Sequence, residues 1–209
     1  MDDHPIVRQG LAQLINQEPD LMVCGQAEDG DSALRAIATH RPDIVILDIS
    51  LQGPDGLAVL KEIRLIHAEL LVLVLSMHDE SLYAERALRA GANGYIMKQE
   101  ATEKVLQAIR RIRGGEIYVS DRIARRLLHQ VVSSPSPGKT PIEALTNREL
   151  AVFRLIGKGR ATREIADDLH VSVKTVESYQ AHIKEKLALK NGRELVQHAF
   201  QWVTSEDGP

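Results

Sequence analysis

Four short apolar runs divide the first half of the chain. They lie at 21–25, 43–48, 70–76 and 94–97. The runs are continuous rather than alternating, which is typical of parallel strands covered on both faces. Amphipathic stretches with helical periodicity accompany them, at about 5–17, 30–40, 56–67, 80–90 and 101–113. Strand and helix alternating at this spacing predict an α/β domain with a doubly wound parallel sheet.

The alternation is uneven at its start, with five helices and only four strands. The first helix begins at Pro5, a favoured first helical residue, and only Met1 to His4 precede it. The aspartates at 2 and 3 resemble the end of a strand whose body is absent. We therefore expect an N-terminally truncated sheet, and we hypothesise that Met1 replaces a Val encoded by GTG at a start assigned too far downstream. The strands at 21–25 and 43–48 would then lack the central strand between them.

The second half of the chain has a different pattern. A helical stretch at about 121–131 leads into a Pro, Ser and Gly-rich linker, "SSPSPGKTP". Beyond it the periodicity is helical throughout, in four segments near 146–157, 162–169, 173–187 and 191–203. A tight turn before a long helix suggests a helix-turn-helix. The predicted domains are therefore 1–113, a connector at 114–142, and an all-α four-helix domain at 143–209.

Composition and charge narrow the class of protein. The 209 residues include a single Cys24, which excludes a disulfide scaffold and fits a reducing cytosol. The apolar runs are too short to span a bilayer, so a cytoplasmic location is expected. Residues 1–113 hold 12 Lys and Arg against 17 Asp and Glu, a charge of −5, whereas 143–204 hold 10 against 8, or +2. This asymmetry is a weak indication of nucleic-acid binding.

Polar residues end or follow the predicted strands at one edge of the sheet. They are Asp2, Asp3, Asp48, Ser76 and Lys98. In an open parallel sheet, ligands bind at this carboxyl edge. Three carboxylates together favour a cation, and oxygen ligands with room for water favour Mg²⁺. An Asp can form an aspartyl phosphate, and a metal, a hydroxyl and an ammonium group would neutralise the transferred phosphoryl group.

The segments "DDHPIVRQGL", "PDIVILDISLQGPDGL", "VLVLSMHDE" and "GANGYIMK" resemble the flavodoxin-like receiver domain of two-component response regulators. The resemblance implies that Asp48 accepts the phosphoryl group. It implies Mg²⁺ ligation by Asp3, Asp48 and the Ser50 backbone carbonyl, with Asp2 acting largely through water. Ser76 and Lys98 would contact the phosphoryl group, and Tyr95 would follow the movement of Ser76. Gln52 and Gln99 depart from the residues usual at their positions, which bears on loop rigidity and dephosphorylation rather than on the chemistry.

The segment from "LTNRELAVFRLIGKGRATREIADDL" to "LKNGRELVQHA" resembles the LuxR-type helix-turn-helix, so the whole chain resembles the NarL/FixJ type of response regulator. Spacing along the long helix places Val176, Ile183 and Leu187 inward, with either Tyr179 or Gln180. Residues on its other faces are the candidates for DNA contact. Base readout is expected from Lys174, Glu177, Ser178 and Ala181, and phosphate contact from Lys174, Thr175, His182 and Lys184.

Two further features concern the ends of these helices. Ala161 stands where the family favours a Ser N-cap. The last helix offers Leu195, Val196, Ala199 and Phe200, of which some pack inward; the resemblance implies that the remainder form a homodimer contact.

The expected function is that of a phosphorylation-switched transcription factor rather than an enzyme. A sensor histidine kinase or a small acyl phosphate would load Asp48, shifting a closed form towards an open form that dimerises on promoter DNA.

Two alternatives belong to other classes. A Mg²⁺-dependent phosphatase with an aspartyl intermediate would need an acid two residues after the nucleophile, where Ser50 stands. A ligand-gated LuxR-type regulator would need an apolar pocket for a small molecule, although aromatic residues make up only 3% of the chain.

Overall fold

The computed structural model describes residues 1–49, 56–77, 79–132 and 141–206. The chain divides into two compact units, Met1–Pro135 and Ser136–Pro209. The domain limits predicted from the sequence are not tested by this division and stay a prediction. Among the described residues, no helix is both long enough and apolar enough to cross a membrane.

A three-stranded parallel sheet forms the centre of the first unit. Its strands are β1 (Ile44–Asp48), β2 (Leu71–Ser76) and β3 (Gly94–Met97), in the spatial order β1-β2-β3. The register aligns Asp48 with Leu75, and Ser76 with Met97. The carboxyl ends of all three strands therefore meet at one edge.

The described part of the first unit also contains helices that pack on the sheet or on one another. They are α1 (Pro5–Asn16), α2 (Gly30–His40), α3 (Gly56–Ile66), α4 (Glu80–Arg89), α5 (Ala101–Arg113) and α6 (Asp121–Val132). The first five lie within one residue of their predicted ends, because apolar periodicity and local capping agree. At α2, for example, Asp29 accepts from the Ser32 amide at 2.7 Å and its own amide donates to the Ser32 hydroxyl. The α/β class predicted from the sequence is confirmed.

The strand predicted at 21–25 is wrong. Residues 21–27 have no regular secondary structure, and the described sheet has no strand beyond β1 on that side. The physical reason is the lack of a neighbour, since a strand needs a partner to satisfy its backbone groups. Met1 and Asp2 lie between β1 and residues 21–27 and bond to both. The Met1 amino group donates to the Ile46 carbonyl at 2.8 Å, and the Asp2 amide donates to the Ala27 carbonyl at 3.2 Å.

The second unit is entirely helical in its described part. It contains α7 (Asn147–Gly157), α8 (Thr162–Asp168), α9 (Val173–Lys186) and α10 (Gly192–Glu206). Its buried core includes one or two residues from each helix: Phe153, Ile165, Val176, Ile183, Leu195 and Ala199. The rings of Phe153 and Trp202 lie 5.6 Å apart between centroids, so the single Trp of the chain reports on this core.

Candidate functional site

Three carboxylates and one imidazole meet at the carboxyl edge of the sheet. Asp48 ends β1, whereas Asp2, Asp3 and His4 precede α1. One ligand atom from each of the four residues lies within 4.8 Å of the other three. Asp2 and Asp48 are almost fully buried, with 2% and 0% of their surfaces exposed. The predicted convergence of Asp2, Asp3 and Asp48 is thus what the structure contains.

Backbone hydrogen bonds fix the position of this cluster. The Asp48 amide donates to the Met1 carbonyl at 3.0 Å, which ties the chain before α1 to the end of β1. Arg8 in α1 donates to the Asp2 carbonyl at 2.6 Å, and its guanidinium lies 3.6 Å from Glu28. Burial lowers the pKa of the Met1 amino group to about 6, although Asp2 and Asp48 oppose the shift.

Lys98 pairs with two of the carboxylates. Its Nζ atom lies 2.6 Å from Oδ2 of Asp48 and 2.8 Å from Oδ2 of Asp2. Burial alone would favour the neutral amine, but the hydrogen bonds to Asp2 and Asp48 outweigh it and raise the pKa of Lys98. The ammonium form therefore neutralises part of the negative charge at this edge. Lys98 begins a short 3₁₀ turn, Lys98–Glu100, directly after β3.

Ser76 and Tyr95 form a second, adjoining contact. Ser76 ends β2 and is fully buried, and a hydrogen bond joins its side chain to that of Tyr95. Tyr95 is 2% exposed although β3 is the last strand of the described sheet, because α4 and Tyr83 cover it. Burial raises the pKa of the Tyr95 phenol. Tyr95 is thus in contact with Ser76, as a residue that follows its movement must be.

Some features of this edge lie outside the described residues or outside the sequence predictions. Ser50 and Gln52 are not among the described residues, so the carbonyl ligand stays a prediction. His4 was not predicted, yet its Nδ1 lies 2.7 Å from Oδ1 of Asp3. The sequence signal for this contact was the position of His4 directly after Asp2 and Asp3. Arg8 was also missed, because one Arg on an amphipathic helix is ordinarily a solvated charge.

The residues present fit a magnesium ion. Mg²⁺ prefers oxygen ligands and keeps several waters, so one or two carboxylates suffice to bind it. Asp3 and Asp48 offer oxygens within a 4.8 Å cluster, and Asp3 is partly exposed on the side open to solvent. The exposed His4 also brings a ring nitrogen to this cluster, but Mg²⁺ prefers oxygen and does not require that ligand.

The helix α6 leaves this region along the start of α4. The Ser120 hydroxyl donates to Glu80 at 2.8 Å, and Arg126 donates to the Ser81 carbonyl at 3.0 Å. Arg122 lies 3.5 Å from Asp79, the N-cap of α4. These contacts begin three residues after Ser76, so α6 is held by the segment that follows the end of β2.

The candidate DNA-contacting residues all lie on solvent-accessible faces of α9. Lys174, Glu177, Ser178, Ala181 and His182 are exposed, and Thr175 and Lys184 are partly exposed. The opposite face is buried through Val176 and Ile183. Tyr179, Gln180 and Leu187 are intermediate, and Gln180 contacts Thr162 of α8 at 3.4 Å. The two-faced pattern expected of a recognition helix is present.

Two polar contacts orient α9. The Ser172 hydroxyl accepts from the Thr175 amide at 3.1 Å and caps the helix. At the other end, Lys186 donates to Glu149 of α7 at 2.6 Å. Glu149 is 3% exposed and also accepts from the Thr146 amide at 2.7 Å. The sequence analysis missed this residue, although the spacing Thr-x-x-Glu is the signature of a capping box.

The apolar residues of α10 divide into two sets. Leu195 and Ala199 are buried in the unit, whereas Val196 and Phe200 are 53% and 61% exposed. Val196 and Phe200 lie four residues apart and therefore on one face of the helix.

Two protein families match the chain, one on each unit. The family described as "Response regulator receiver domain" matches residues 1–110. The family described as "Bacterial regulatory proteins, luxR family" matches residues 143–199. Together they cover the sheet edge with Asp48 and the helices from α7 into α10.

Curated relatives match almost the whole chain. The oxygen regulatory protein NreC of Staphylococcus epidermidis is 37% identical over 206 residues, covering 96% of this chain and 94% of the relative. NreC of Staphylococcus aureus is 38% identical over 205 residues with the same coverage.

The chain is also similar to solved structures of response regulators. RcsB of Salmonella enterica serovar Typhimurium, bound to promoter rprA with phosphomimetic BeF₃⁻, matches with a TM-score of 0.58 at 25% identity over 95% of each chain. A LuxR-family two-component response regulator of Aurantimonas matches with a TM-score of 0.58 at 37% identity, covering 63% of this chain and 94% of that one.

Proposed function

Because the chain belongs to the NarL/FixJ family of two-component response regulators, which join a receiver domain to a LuxR-type DNA-binding domain, we propose that Asp48 is its phospho-acceptor and α9 its DNA-reading helix. The observation that carries the proposal is the buried contact of Lys98 with Asp48 and Asp2 at the carboxyl edge of the sheet. An acceptor carboxylate needs a fixed cation beside it, since phosphoryl transfer depends mainly on position and charge neutralisation.

Asp48 is the acceptor because of its place in the cluster. It ends a strand, its side chain is fully buried, and Lys98 already approaches one of its oxygens. The nucleophilic carboxylate would attack phosphorus and leave an aspartyl phosphate. Bound Mg²⁺ would neutralise charge on the phosphoryl oxygens. Asp3 and Asp48 would hold that ion with the Ser50 carbonyl, and Asp2 would act through water.

The Ser76 and Tyr95 pair connects this chemistry to the rest of the unit. The Ser76 hydroxyl would bond the phosphoryl group, and Tyr95, which is hydrogen-bonded to Ser76, would follow its movement. The segment after Ser76 leads to Asp79 and Glu80, which hold α6 through Arg122 and Ser120. Phosphorylation would therefore alter the docking of α6, the helix that leads towards the second unit. The docked arrangement of α6 would then be in equilibrium with a released one, and phosphorylation would shift that equilibrium.

DNA binding is assigned to the exposed face of α9. Lys174, Glu177, Ser178 and Ala181 lie towards its N-terminal part and would read base edges, while Thr175, His182 and Lys184 would join Lys174 on phosphates. The Thr175 hydroxyl also contacts Ser172 at 2.7 Å, so it contributes to the cap as well. A charge of +2 on residues 143–204 gives one copy little affinity, and two copies on two half-sites would roughly double the phosphate contacts.

The proposed partners follow from these assignments. A sensor histidine kinase would supply the phosphoryl group, and double-stranded promoter DNA would be bound by a homodimer in the cytoplasm. RcsB has been solved as two dimers bound to two parallel DNAs. The exposed pair Val196 and Phe200 on α10 offers the apolar surface for the corresponding contact here. The phosphoryl group serves regulation, and turnover of a separate substrate forms no part of the proposal.

The test compares Asp48→Asn with a matched control, Asp31→Asn, which alters an exposed Asp in the first turn of α2. Each protein is incubated with acetyl phosphate and Mg²⁺, and intact mass measures phosphoryl uptake. DNA recovered by selection from a random pool then measures binding with and without acetyl phosphate. We expect wild type and Asp31→Asn to take up the phosphoryl group and to change their DNA binding when they do. Asp48→Asn should do neither. Equal uptake by Asp48→Asn would reject Asp48 as the acceptor.

A further inference from the structure

One acidic side chain lies on the exposed face of α9, near the beginning of the helix. Glu177 is in the second turn of α9, which begins at Val173. Lys174 precedes it by three residues and Ala181 follows it by four, so these side chains share one stripe along the helix. All three are exposed, whereas Val176 is buried. Glu177 therefore faces away from the core of the second unit, on the side assigned to DNA.

Several polar groups beside Glu177 are already engaged within the helix. The Ser178 hydroxyl donates to the Lys174 carbonyl at 3.0 Å, and the Thr175 hydroxyl contacts that of Ser172 at 2.7 Å. Within the part of the chain that the structure describes, no hydrogen bond or ion pair engages the Glu177 side chain. The Glu177 carboxylate therefore keeps all of its acceptor capacity for a ligand.

A carboxylate on this face weakens DNA binding unless the DNA offers it a donor. The seven candidate contact residues of α9 include no other acid, and the phosphates of DNA repel this one. An ionised carboxylate accepts hydrogen bonds and cannot donate them. Its attractive partners in the major groove are therefore the amino groups of the bases.

The four bases differ in how well they suit a carboxylate. In the major groove guanine presents two acceptors, and thymine presents an acceptor and a methyl group. Adenine presents its N6 amino group beside the N7 acceptor, so a carboxylate bonded to N6 would bring its second oxygen close to N7 and be repelled there. Cytosine presents its N4 amino group and no acceptor of its own. Cytosine is therefore the base that an acceptor-only side chain prefers.

We propose that Glu177 selects a cytosine in each half-site by accepting a hydrogen bond from its N4 amino group in the major groove. The inference rests on the assignment of α9 as the DNA-reading helix and deepens it by naming one base of the operator. Lys174 would bind a phosphate nearby and offset the repulsion of the carboxylate. Ala181 has no polar side-chain atom and does not compete for the same amino group. Glu177 thus contributes to sequence selectivity rather than to general affinity.

The first experiment selects DNA from a random pool with the full chain in acetyl phosphate and Mg²⁺. Wild type should enrich cytosine at one position of each half-site. Glu177→Gln keeps the shape of the side chain but adds an amide donor, and a donor beside an acceptor matches adenine. We therefore expect adenine to replace cytosine at that position. Glu185→Gln removes the same charge near the other end of α9 and should enrich the wild-type sequence.

The second experiment tests the amino group itself. N4-methylcytosine keeps the base pair but replaces the amino hydrogen that faces the major groove with a methyl group. Placed at the selected position, it should lower the affinity of wild type by about tenfold, measured by fluorescence anisotropy. Glu177→Ala should bind the methylated and unmethylated DNAs equally, because it has no carboxylate to lose a bond.

The inference is overturned when Glu177→Gln enriches the same cytosine as wild type. It is also overturned when the methyl group costs wild type no affinity, or costs Glu177→Ala as much. Lys174→Ala separates these results from a failure of the wider assignment. A loss of affinity in Lys174→Ala with unchanged selection by Glu177→Gln would reject Glu177 and retain α9 as the reading helix. Unchanged affinity and unchanged selection together, or no enriched sequence with wild type, would reject both.

Discussion

The ammonium group of Lys98 lies 2.6 Å from the carboxylate of Asp48, and 7% and 0% of the two side chains are exposed. Fifty positions separate these residues, so the contact depends on the parallel pairing of β1 with β2 and of β2 with β3. The pair has a consequence for stability as well as for chemistry, because Asp2 shares the same ammonium. Without it, two buried carboxylates would face each other.

Lys98→Met should destabilise the first unit and make it depend on Mg²⁺. Removing one partner of a buried ion pair costs about 3–5 kcal/mol, and a divalent cation bound by the carboxylates would offset part of that loss. Differential scanning calorimetry in EDTA and in Mg²⁺ would measure the melting temperature of the variant without and with the cation. Lys61→Met, at an exposed lysine of α3, is the control. A melting temperature of Lys98→Met that responds to Mg²⁺ no more than that of the control would contradict this account.

Much of the edge around Asp48 could be predicted because it follows from topology. Once the apolar runs are taken as parallel strands, the residues at their carboxyl ends must converge, as Asp48 and Lys98 do. Periodicity could not predict that 21–25 fails to form a strand, since pairing is a property of neighbours rather than of the segment. It also could not show the bond from Lys186 to Glu149, since that contact joins two helices and its geometry is set by tertiary packing. The local bond from Thr146 to Glu149, by contrast, follows from the capping-box spacing.

Arg126→Ala should loosen α6 from the start of α4. Its guanidinium donates to the Ser81 carbonyl at 3.0 Å, and a hydrogen bond of this kind changes a local opening equilibrium by roughly two- to tenfold. Hydrogen exchange of the α6 amides should accelerate by that factor. Arg125→Ala, at the neighbouring exposed arginine, removes the same charge and serves as the control. Equal acceleration in the two variants would mean that net charge, rather than the contact with Ser81, holds α6.

Glu149 should make the second unit sensitive to acid. Burial opposes its ionisation, but bonds from Lys186 and Thr146 outweigh that effect and lower its pKa below the ordinary 4.5. The folded state therefore binds the proton less readily than the unfolded state. The stability this gives is complete well above pH 4.5 and is lost as pH falls through the lowered pKa.

Urea unfolding followed by Trp202 fluorescence would measure this dependence. Glu149→Gln should be less stable than wild type at pH 7, and the difference should shrink below pH 4.5. Glu185→Gln, which alters an exposed Glu of α9, should show no such convergence. A difference between Glu149→Gln and wild type that stays constant with pH would show that the loss comes from packing instead.

Gly157→Ala should destabilise the same unit by forcing two helices apart. A Cβ atom at this position would lie 2.4 Å from the Ala199 carbonyl oxygen and 2.6 Å from Cγ2 of Val203. Overpacking of this kind costs about 1–3 kcal/mol, against a smaller gain in helix propensity. Gly192→Ala is the control, because an added Cβ there meets nothing within 4 Å. The urea midpoints of unfolding of Gly157→Ala and Gly192→Ala would test this prediction. Equal midpoints would mean that α7 and α10 can move apart with little loss of stability.

Phe200→Ala should weaken cooperative binding to DNA without altering the fold. Phe200 is 61% exposed beside Val196, so its truncation removes apolar surface that the proposed dimer would bury. Affinity for DNA with two half-sites should fall by about tenfold, which corresponds to about 1.4 kcal/mol, whereas affinity for one half-site should stay the same. Fluorescence anisotropy with the two DNAs measures both quantities. Leu65→Ala, at an exposed leucine of α3, should leave both affinities unchanged. An equal fall in affinity for the DNAs with one and two half-sites would mean that Phe200 stabilises the second unit itself. The dimer contact would then have to lie on another surface.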